Sequence, residues 1–301
     1  MDVLNFLLPD ESTQIWMGVN IIMAWSFYII ISTGQLSVGN SAFMAIGAYA
    51  AGVATVNFKV PLVIALVLSL VIGALSGLIV GFPALRVRGI YLAMMTIGIE
   101  EVVQSSLRNF QYVGGAMGFK GMRGVTVWIV FVAVVGLALF IWRLESSRLG
   151  RSFSAVRDDE MVASTMGLNT TYIKVLAFSI GAAMASLAGA LYAHYMMFIA
   201  PEHFDIWQSF LPTFFVILGG VQTFWGAAIG AIILTVIPEY FRPLKEWRII
   251  VYGLIIVAMM AYRPEGLISR AMVLRISGAI RAMLVWRPKR AAHLGEVAKV
   301  D

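Results

Sequence analysis

Residues 61–82 read PLVIALVLSLVIGALSGLIVGF, 22 positions without one acidic or basic side chain. About 20 such residues, wound at helical rise, cross the hydrocarbon layer of a bilayer. The rest of the 301-residue chain has the same character, with 60% hydrophobic residues, 13% charged residues and a mean hydropathy of +0.87. Soluble domains carry roughly 45–50% apolar and about 25% charged residues. So apolar a chain has too little polar surface to cover a water-soluble core, and lipid must be its solvent. The net charge of +6 and pI near 9.6 do not point to nucleic acid. The basic residues cluster between and after apolar stretches, as membrane topology alone arranges them. Cysteine is absent, which excludes a disulfide framework, a thiol nucleophile and a cysteine-ligated metal.

Further spans are expected at 15–33, 38–57, 90–108, 125–142, 173–199 and 247–262. The stretch 208–240 is too long for one ordinary span and is interrupted by Gly219-Gly220 and Gln222-Thr223. Cytoplasmic loops carry an excess of Lys and Arg. Residues 143–172 hold Arg143, Arg148, Arg151 and Arg157, and the chain after 262 holds seven more between Arg263 and Arg290. Both regions therefore face inward, an even number of spans separates them, and 208–240 counts as two. The sum is about nine spans, eight to ten if re-entrant segments shift the count. Arg86 and Arg88 fall inside and the acidic N-terminus outside, while Lys120, Arg123, Arg242, Lys245 and Arg248 oppose the rule mildly. The leading MDVLNFLLPDES has no basic residue, so no cleavable leader is expected. Residues 1–268 read as one transmembrane domain and 269–301 as a basic cytoplasmic tail, either a surface-bound helix or a solvated segment.

In lipid, helices associate through close contact between small residues. Gly73, Gly77 and Gly81 form one such stripe, Gly181, Ala185 and Gly189 a second, and Gly226 with Gly230 a third. Two other segments mix polar and glycine residues within apolar sequence, Thr33–Phe43 and Leu218–Gly226. Broken helices at matching places in two halves of a chain point to a substrate pathway; ordinary tight turns are the alternative. Thr96, Glu100 and Gln104 recur every four residues and share one face of the fourth span. A mid-membrane carboxylate costs about 2.5–3.5 kcal/mol unless it faces a cavity or a partner. Glu100 is read as lining a route for cargo, and Glu101 as pairing with Arg108 or capping a neighbouring helix. The candidate pathway comprises Gly34, Gln35, Ser37, Gly39, Asn40, Thr96, Glu100, Gly219 and Gly220.

The inward loop 143–172 has a different chemistry. Asp158 or Asp159 is a good helix N-cap, Glu160 suits the first turn, and Gly167 can end the helix in a left-handed conformation. The expected product is a two-turn helix presenting Val156, Ala163 and Met166 as an apolar patch beside charges. A helix this short is marginal in water and needs a partner's groove or its own bundle to dock on.

Glu160, Ala163 and Gly167 resemble a variant of the E-A-A…G loop through which permeases of ABC importers dock on their ATPase. Met161 and Val162 precede Ala163, so the second alanine of that core is missing. The stretches TGQLSVGNSAF…IGAY (33–49), FPALRVRGIYLAMMT (82–96) and GRSFSAVRDDE (150–160) resemble branched-chain amino-acid permeases of LivM type. LAGALYA (187–193), LGGVQTFWGAAIG (218–230) and RPEGL (263–267) do so as well, and the resemblance covers about residues 15–268. It implies an all-α permease of the bacterial inner membrane, its N-terminus periplasmic and its C-terminus cytoplasmic. It also implies a second, H-type permease, two cytoplasmic ATPases and a periplasmic solute-binding protein. The coupling residues would be Arg157, Asp158, Asp159, Glu160, Ala163 and Gly167. No G-x-x-x-x-G-K-[ST] loop occurs in the chain, so ATP-Mg would sit on the partner subunits and no cofactor on this one. Branched-chain amino acids, urea or amides are all compatible cargoes. Two other classes compete: an ion-coupled transporter using Glu100, and a membrane enzyme using His194 and His203, whose spacing resembles no metal site.

Overall fold

The computed structural model describes residues 10–84, 87, 89–240, 253–254, 257 and 266–267. The expected span 247–262, the tail 269–301, Arg86, Arg88, Arg242, Lys245 and Arg248 lie essentially outside them. The described chain is helical throughout, apart from short turns and one two-residue strand pair. The helices are α1 (Glu11–Ile31), α2 (Asn40–Val56), α3 (Leu62–Ala84), α4 (Ile90–Asn109) and α5 (Val127–Ser146). They continue as α6 (Arg148–Asp158), α7 (Glu160–Thr165), α8 (Thr170–Met196), α9 (Ile206–Gly219) and α10 (Phe224–Tyr240).

Of these, α1, α3, α5 and α8 are long and apolar enough to cross a membrane. Helices α9 and α10 form a bent pair, folded by 115° at the break after Gly219, that passes the same test together. Only 17 residues make up α2, and α4 carries Glu100, Glu101 and Arg108 within 20 residues. The chain is therefore a multi-pass membrane protein with four or five spans of full length and apolarity among the described residues.

Helix α8 is the axis of the bundle, with α1, α2 and α3 packed around it. The glycine stripe of α3 meets α8 at the same four-residue spacing. A Cβ at Gly73 would strike Ser186, one at Gly77 would lie 2.6 Å from the Ala182 Cβ, and one at Gly81 would touch Phe178. On its other sides α8 offers Gly181 to Ile30 and the Ser26 carbonyl of α1, and Gly189 to the Met44 carbonyl of α2. The approach is close enough for hydrogen bonds between helices, from Ser186 Oγ to Phe43 O (2.8 Å) and from Ser179 Oγ to Ala74 O (2.7 Å). Helices α3 and α5, by contrast, leave most of their apolar surface exposed.

At one end of α8, His194 bonds the Ala190 carbonyl through Nδ1 (2.8 Å) and Thr55 Oγ1 through Nε2 (2.9 Å). The first contact stays within α8, and the second ties α8 to α2. Just beyond, strand β2 (Phe198–Ile199) pairs antiparallel with β1 (Phe119–Lys120), Phe119 opposite Ile199. The α9–α10 turn closes because Gly219 packs on the Gly226 carbonyl and Gly230 on that of Phe215. Trp25 Nε1 donates to Phe224 O (2.9 Å), and Asn20 Nδ2 to Thr235 Oγ1 (2.9 Å), which fixes α10 against α1.

Gly189→Val places a branched side chain against the Met44 backbone and should cost at least the 1–3 kcal/mol typical of overpacking. Gly136→Val, where a Cβ meets nothing within 4 Å, should be tolerated. Detergent extraction followed by size-exclusion chromatography and a melting curve separates the two, with a monodisperse peak expected for Gly136→Val alone.

Candidate functional site

The α4 stripe of Thr96, Glu100 and Gln104 is buried, whereas Glu101 on the opposite side is exposed. Thr96 Oγ1 donates to Ala93 O (2.9 Å) and accepts the Val38 N–H (3.0 Å), so the extended segment before α2 is pinned to α4. Gly39 makes this approach possible, since any Cβ there would collide with the Thr96 carbonyl. Two turns further along α4, Gln104 Nε2 donates to Pro201 O (3.0 Å) and Phe204 O (3.4 Å). Arg108 donates to Gln104 Oε1 (3.2 Å), and this bond rather than one to Glu101 holds its side chain.

Glu100 lies between these two anchors with 2% of its surface exposed. The hydroxyls of Ser41 and Ser209 adjoin its carboxyl group, but neither carboxyl oxygen meets a partner in hydrogen-bonding geometry. Ser41 instead donates its N–H to Ser209 Oγ (3.0 Å) and its hydroxyl to Phe204 O (3.5 Å). Nearby charges are Glu101 and Asp205, both acidic. Ser37 Oγ, Asn40 Oδ1, Tyr49 OH and Thr213 Oγ1 are likewise buried without a hydrogen-bond partner among the described residues. Asn40 uses only its amide nitrogen, which donates to Ser26 Oγ (2.9 Å). The result is a buried polar seam between α4, the start of α2 and the start of α9. Native interiors rarely leave polar groups unpaired, and such groups commonly mark a functional site, water or ion.

Of the expected pathway residues, Gly39, Thr96 and Glu100 meet on this seam; Ser37 and Asn40 flank it in the adjoining chain, with the Asn40 amide turned to Ser26 of α1. Gly34 and Gln35 lie elsewhere: Gly34, with φ +78°, packs on the Arg157 backbone, and Gln35 Nε2 donates to Thr33 Oγ1 (2.9 Å) and Lys174 O (3.0 Å). Gly219 and Gly220 sit at the α9–α10 break, with Gly266 against Gly220. Ser41 and Ser209 belong to the seam and were not anticipated; Tyr49 and Thr213 are further buried polar groups on α2 and α9. Ser209 and Thr213 stand four apart in the apolar IWQSFLPTFF, the same spacing that marks Thr96 and Glu100. Among the described residues, no three His, Asp or Glu side chains gather as metal ligands.

The loop 143–172 folds into two helices rather than one. Ser147 caps α6, accepting from Gly150 N (3.3 Å). Asp159 caps α7, its Oδ1 accepting from Met161 N (2.8 Å) and Val162 N (3.0 Å). Gly167, at φ +84°, ends α7, and Leu168 N closes on Ala163 O (3.2 Å). Glu160 forms an ion pair with Lys174 at the start of α8 (2.7 Å), and Arg157 pairs with Asp158 (3.3 Å). The expected apolar patch differs in its members. Val156 and Ala163 are buried against the bundle, and the exposed face is made by Met161 (77%), Val162 (55%) and Met166 (80%). Six residues of helix have only one face to spend on the bundle, and the Glu160–Lys174 pair chooses Ala163 for it.

Residues 12–260 match the family described as branched-chain amino acid transport system, permease component. The chain is similar to the high-affinity branched-chain amino acid transport system permease protein LivM of Salmonella typhimurium strain LT2. Identity is 31%, across 84% of this chain and 66% of that protein. LivH of the same organism is 32% identical over 60% of each chain. The autoinducer 2 import system permease protein LsrC of Yersinia pseudotuberculosis is 24% identical over 86% of this chain and 78% of its own. The chain spans about two thirds of the length of the LivM relatives, and no solved structure matches it. The match over residues 12–260 makes this chain a member of the family of branched-chain amino acid transport system permease components.

Proposed function

We propose that the chain is one permease subunit of an ATP-driven importer for branched-chain amino acids or a related small polar solute. It would work in the bacterial inner membrane through alternating access. Likeness to both LivM and LivH proteins supports a pairing with a second permease of H-type. Two cytoplasmic ATPases would carry ATP-Mg, and a periplasmic binding protein would deliver the solute. About nine spans follow if α2, α4, α9, α10 and 247–262 each count beside the four long helices. The N-terminus is then periplasmic and the basic loop and tail cytoplasmic.

The observation that carries this reading is the segment of α7 and its C-cap, 160–166, which exposes Met161, Val162 and Met166 while the Glu160–Lys174 ion pair anchors it to α8. An exposed apolar patch rimmed by charge is the signature of a protein contact. Arg157, Asp158, Asp159, Glu160, Ala163 and Gly167 shape that contact, and the seam around Glu100 is the route for cargo. A second reading, an ion-coupled carrier, draws on the uncompensated Glu100 carboxylate. It leaves the exposed face of α7 without a use.

Two outcomes are expected. Tagged protein purified from its native host should bring down two ATPases and a second permease. Met161→Asp with Val162→Asp should reduce that recovery at least ten-fold, an interface loss of about 1.4 kcal/mol or more, without changing the melting temperature. If no ATPase accompanies the wild type, and uptake collapses with an uncoupler while ATP is held constant, the ion-coupled reading replaces the importer.

Along the seam, Thr96→Val leaves the buried Val38 N–H without an acceptor and should lower stability by about 1–3 kcal/mol, with Thr96→Ser restoring it. Glu100→Gln and Glu100→Ala should instead preserve assembly and depress solute uptake in membrane vesicles. Unchanged uptake in both would remove the seam from the route.

A further inference from the structure

A cleft of about 450 Å³ opens beside α6, between the ends of α1 and α5 and the α9–α10 turn. Its polar lining includes Ser32, Glu145, Ser146, Arg157, Gln222 and Thr223. Glu145 is the one carboxylate among its lining residues, and Tyr28 OH donates to it (2.6 Å). One arginine lines the cleft and two more lie beside it. Arg157 lines it and also pairs with Asp158 (3.3 Å), Arg151 Nη1 donates to the Ser146 carbonyl at its edge (3.3 Å), and Arg143 lies over the ring of Trp142 in its wall (5.8 Å).

A second cavity of about 760 Å³ adjoins the first, sharing Trp142 and Trp225 as a common wall. Its other lining residues come from α1, α5 and α10, including Ile21, Trp25, Val135, Leu139, Ile229 and Ile232, and none is charged. Both volumes fall in the range of about 300–1,000 Å³ typical of ligand sites. A polar pocket with arginines at its rim, continuing into an apolar groove between membrane helices, has the shape and polarity of a phospholipid. Tryptophan at the junction matches the headgroup boundary, where its amphipathic ring is most stable.

We propose that this cleft and groove form one site for an anionic phospholipid, its phosphate group among Arg143, Arg151 and Arg157 and an acyl chain along α1, α5 and α10. Basic pockets between spans on the cytoplasmic side take such headgroups. The assignment to the inner leaflet rests on the topology proposed above. Because Arg157 adjoins the Asp159 cap and packs on Gly34, the lipid touches the same segment that carries the exposed face of α7.

The test uses the full chain in detergent. Native mass spectrometry would compare retention of added phosphatidylglycerol and phosphatidylcholine by wild type, by Arg143→Gln with Arg151→Gln, and by Ala138→Trp in the groove. Each rim arginine contributes about five-fold, so the double variant should lose roughly thirty-fold in phosphatidylglycerol retention and little in phosphatidylcholine. Ala138→Trp should lower both lipids. Equal retention of the two lipids by wild type, or a double variant that keeps phosphatidylglycerol, overturns the headgroup assignment. The absence of native cysteine allows a single photo-crosslinker at Val135→Cys, in cells, to report the occupant. Cross-links to lipid support the site, and cross-links to residues 241–262 or to a second permease overturn it. None of these readings involves an ATPase, so the importer proposal and the lipid site fail separately.

Discussion

Backbone contact between α8 and its neighbours is the constraint on which the rest of the molecule depends. Lipid tails are as apolar as leucine, so burying leucine between helices gains little; what remains is dispersion at close range and hydrogen bonds across the gap. Glycine at positions 73, 77, 181 and 189 removes the side chains that would hold the helices apart, and Ser179 and Ser186 then reach carbonyls on their neighbours. With α8 surrounded in this way, α2 and the segment before it have one position available. That position brings Val38 and Gly39 onto Thr96 and encloses Glu100.

The seam and the α6–α7 loop are physically linked through this axis. Gln35, two residues before Ser37, donates to the Lys174 carbonyl, while the Lys174 ammonium pairs with Glu160 on α7. Gly34 packs on Arg157. A single extended segment, residues 33–39, therefore touches the helix pair outside the spans at one end and the buried carboxylate's helix at the other. The ion pair is partly exposed and contributes little to stability. Its role is geometric, since it sets which face of α7 turns inward.

Much of this was legible in the sequence because the governing signals are periodic. Glycines four apart in α3 predicted a packed stripe, and the structure places Phe178, Ala182 and Ser186, also four apart, opposite them. Thr96, Glu100 and Gln104 gave a polar face by the same rule. The cap at Asp159 and the stop at Gly167 came from local backbone chemistry. Spacing alone did not separate the residues at the seam and its flank from those that support the loop, because Gly34 and Gln35 differ from Ser37 and Asn40 only in what lies across from them. The patch on α7 was misassigned for a related reason. Six residues carry no resolvable periodicity, and the Glu160–Lys174 pair, a tertiary contact, decided between Ala163 and Met161 as the buried member. Ser209 and Thr213 were hidden inside a stretch read mainly for its length.

Helix α8 has 27 residues and, at about 1.5 Å rise per residue, measures roughly 40 Å. Lys174 near its start is fastened to α7 and to Gln35, and His194 near its end to Thr55. A rod of that length acts as a lever arm. Rotation by about 10° around its middle third carries each tip through roughly 3 Å in opposite senses. In the proposed importer, a push on α7 would be delivered, with reversed direction, to the β1–β2 pair beyond Met196 on the far side of the bundle. One rigid element would thereby join opening at one face to closure at the other.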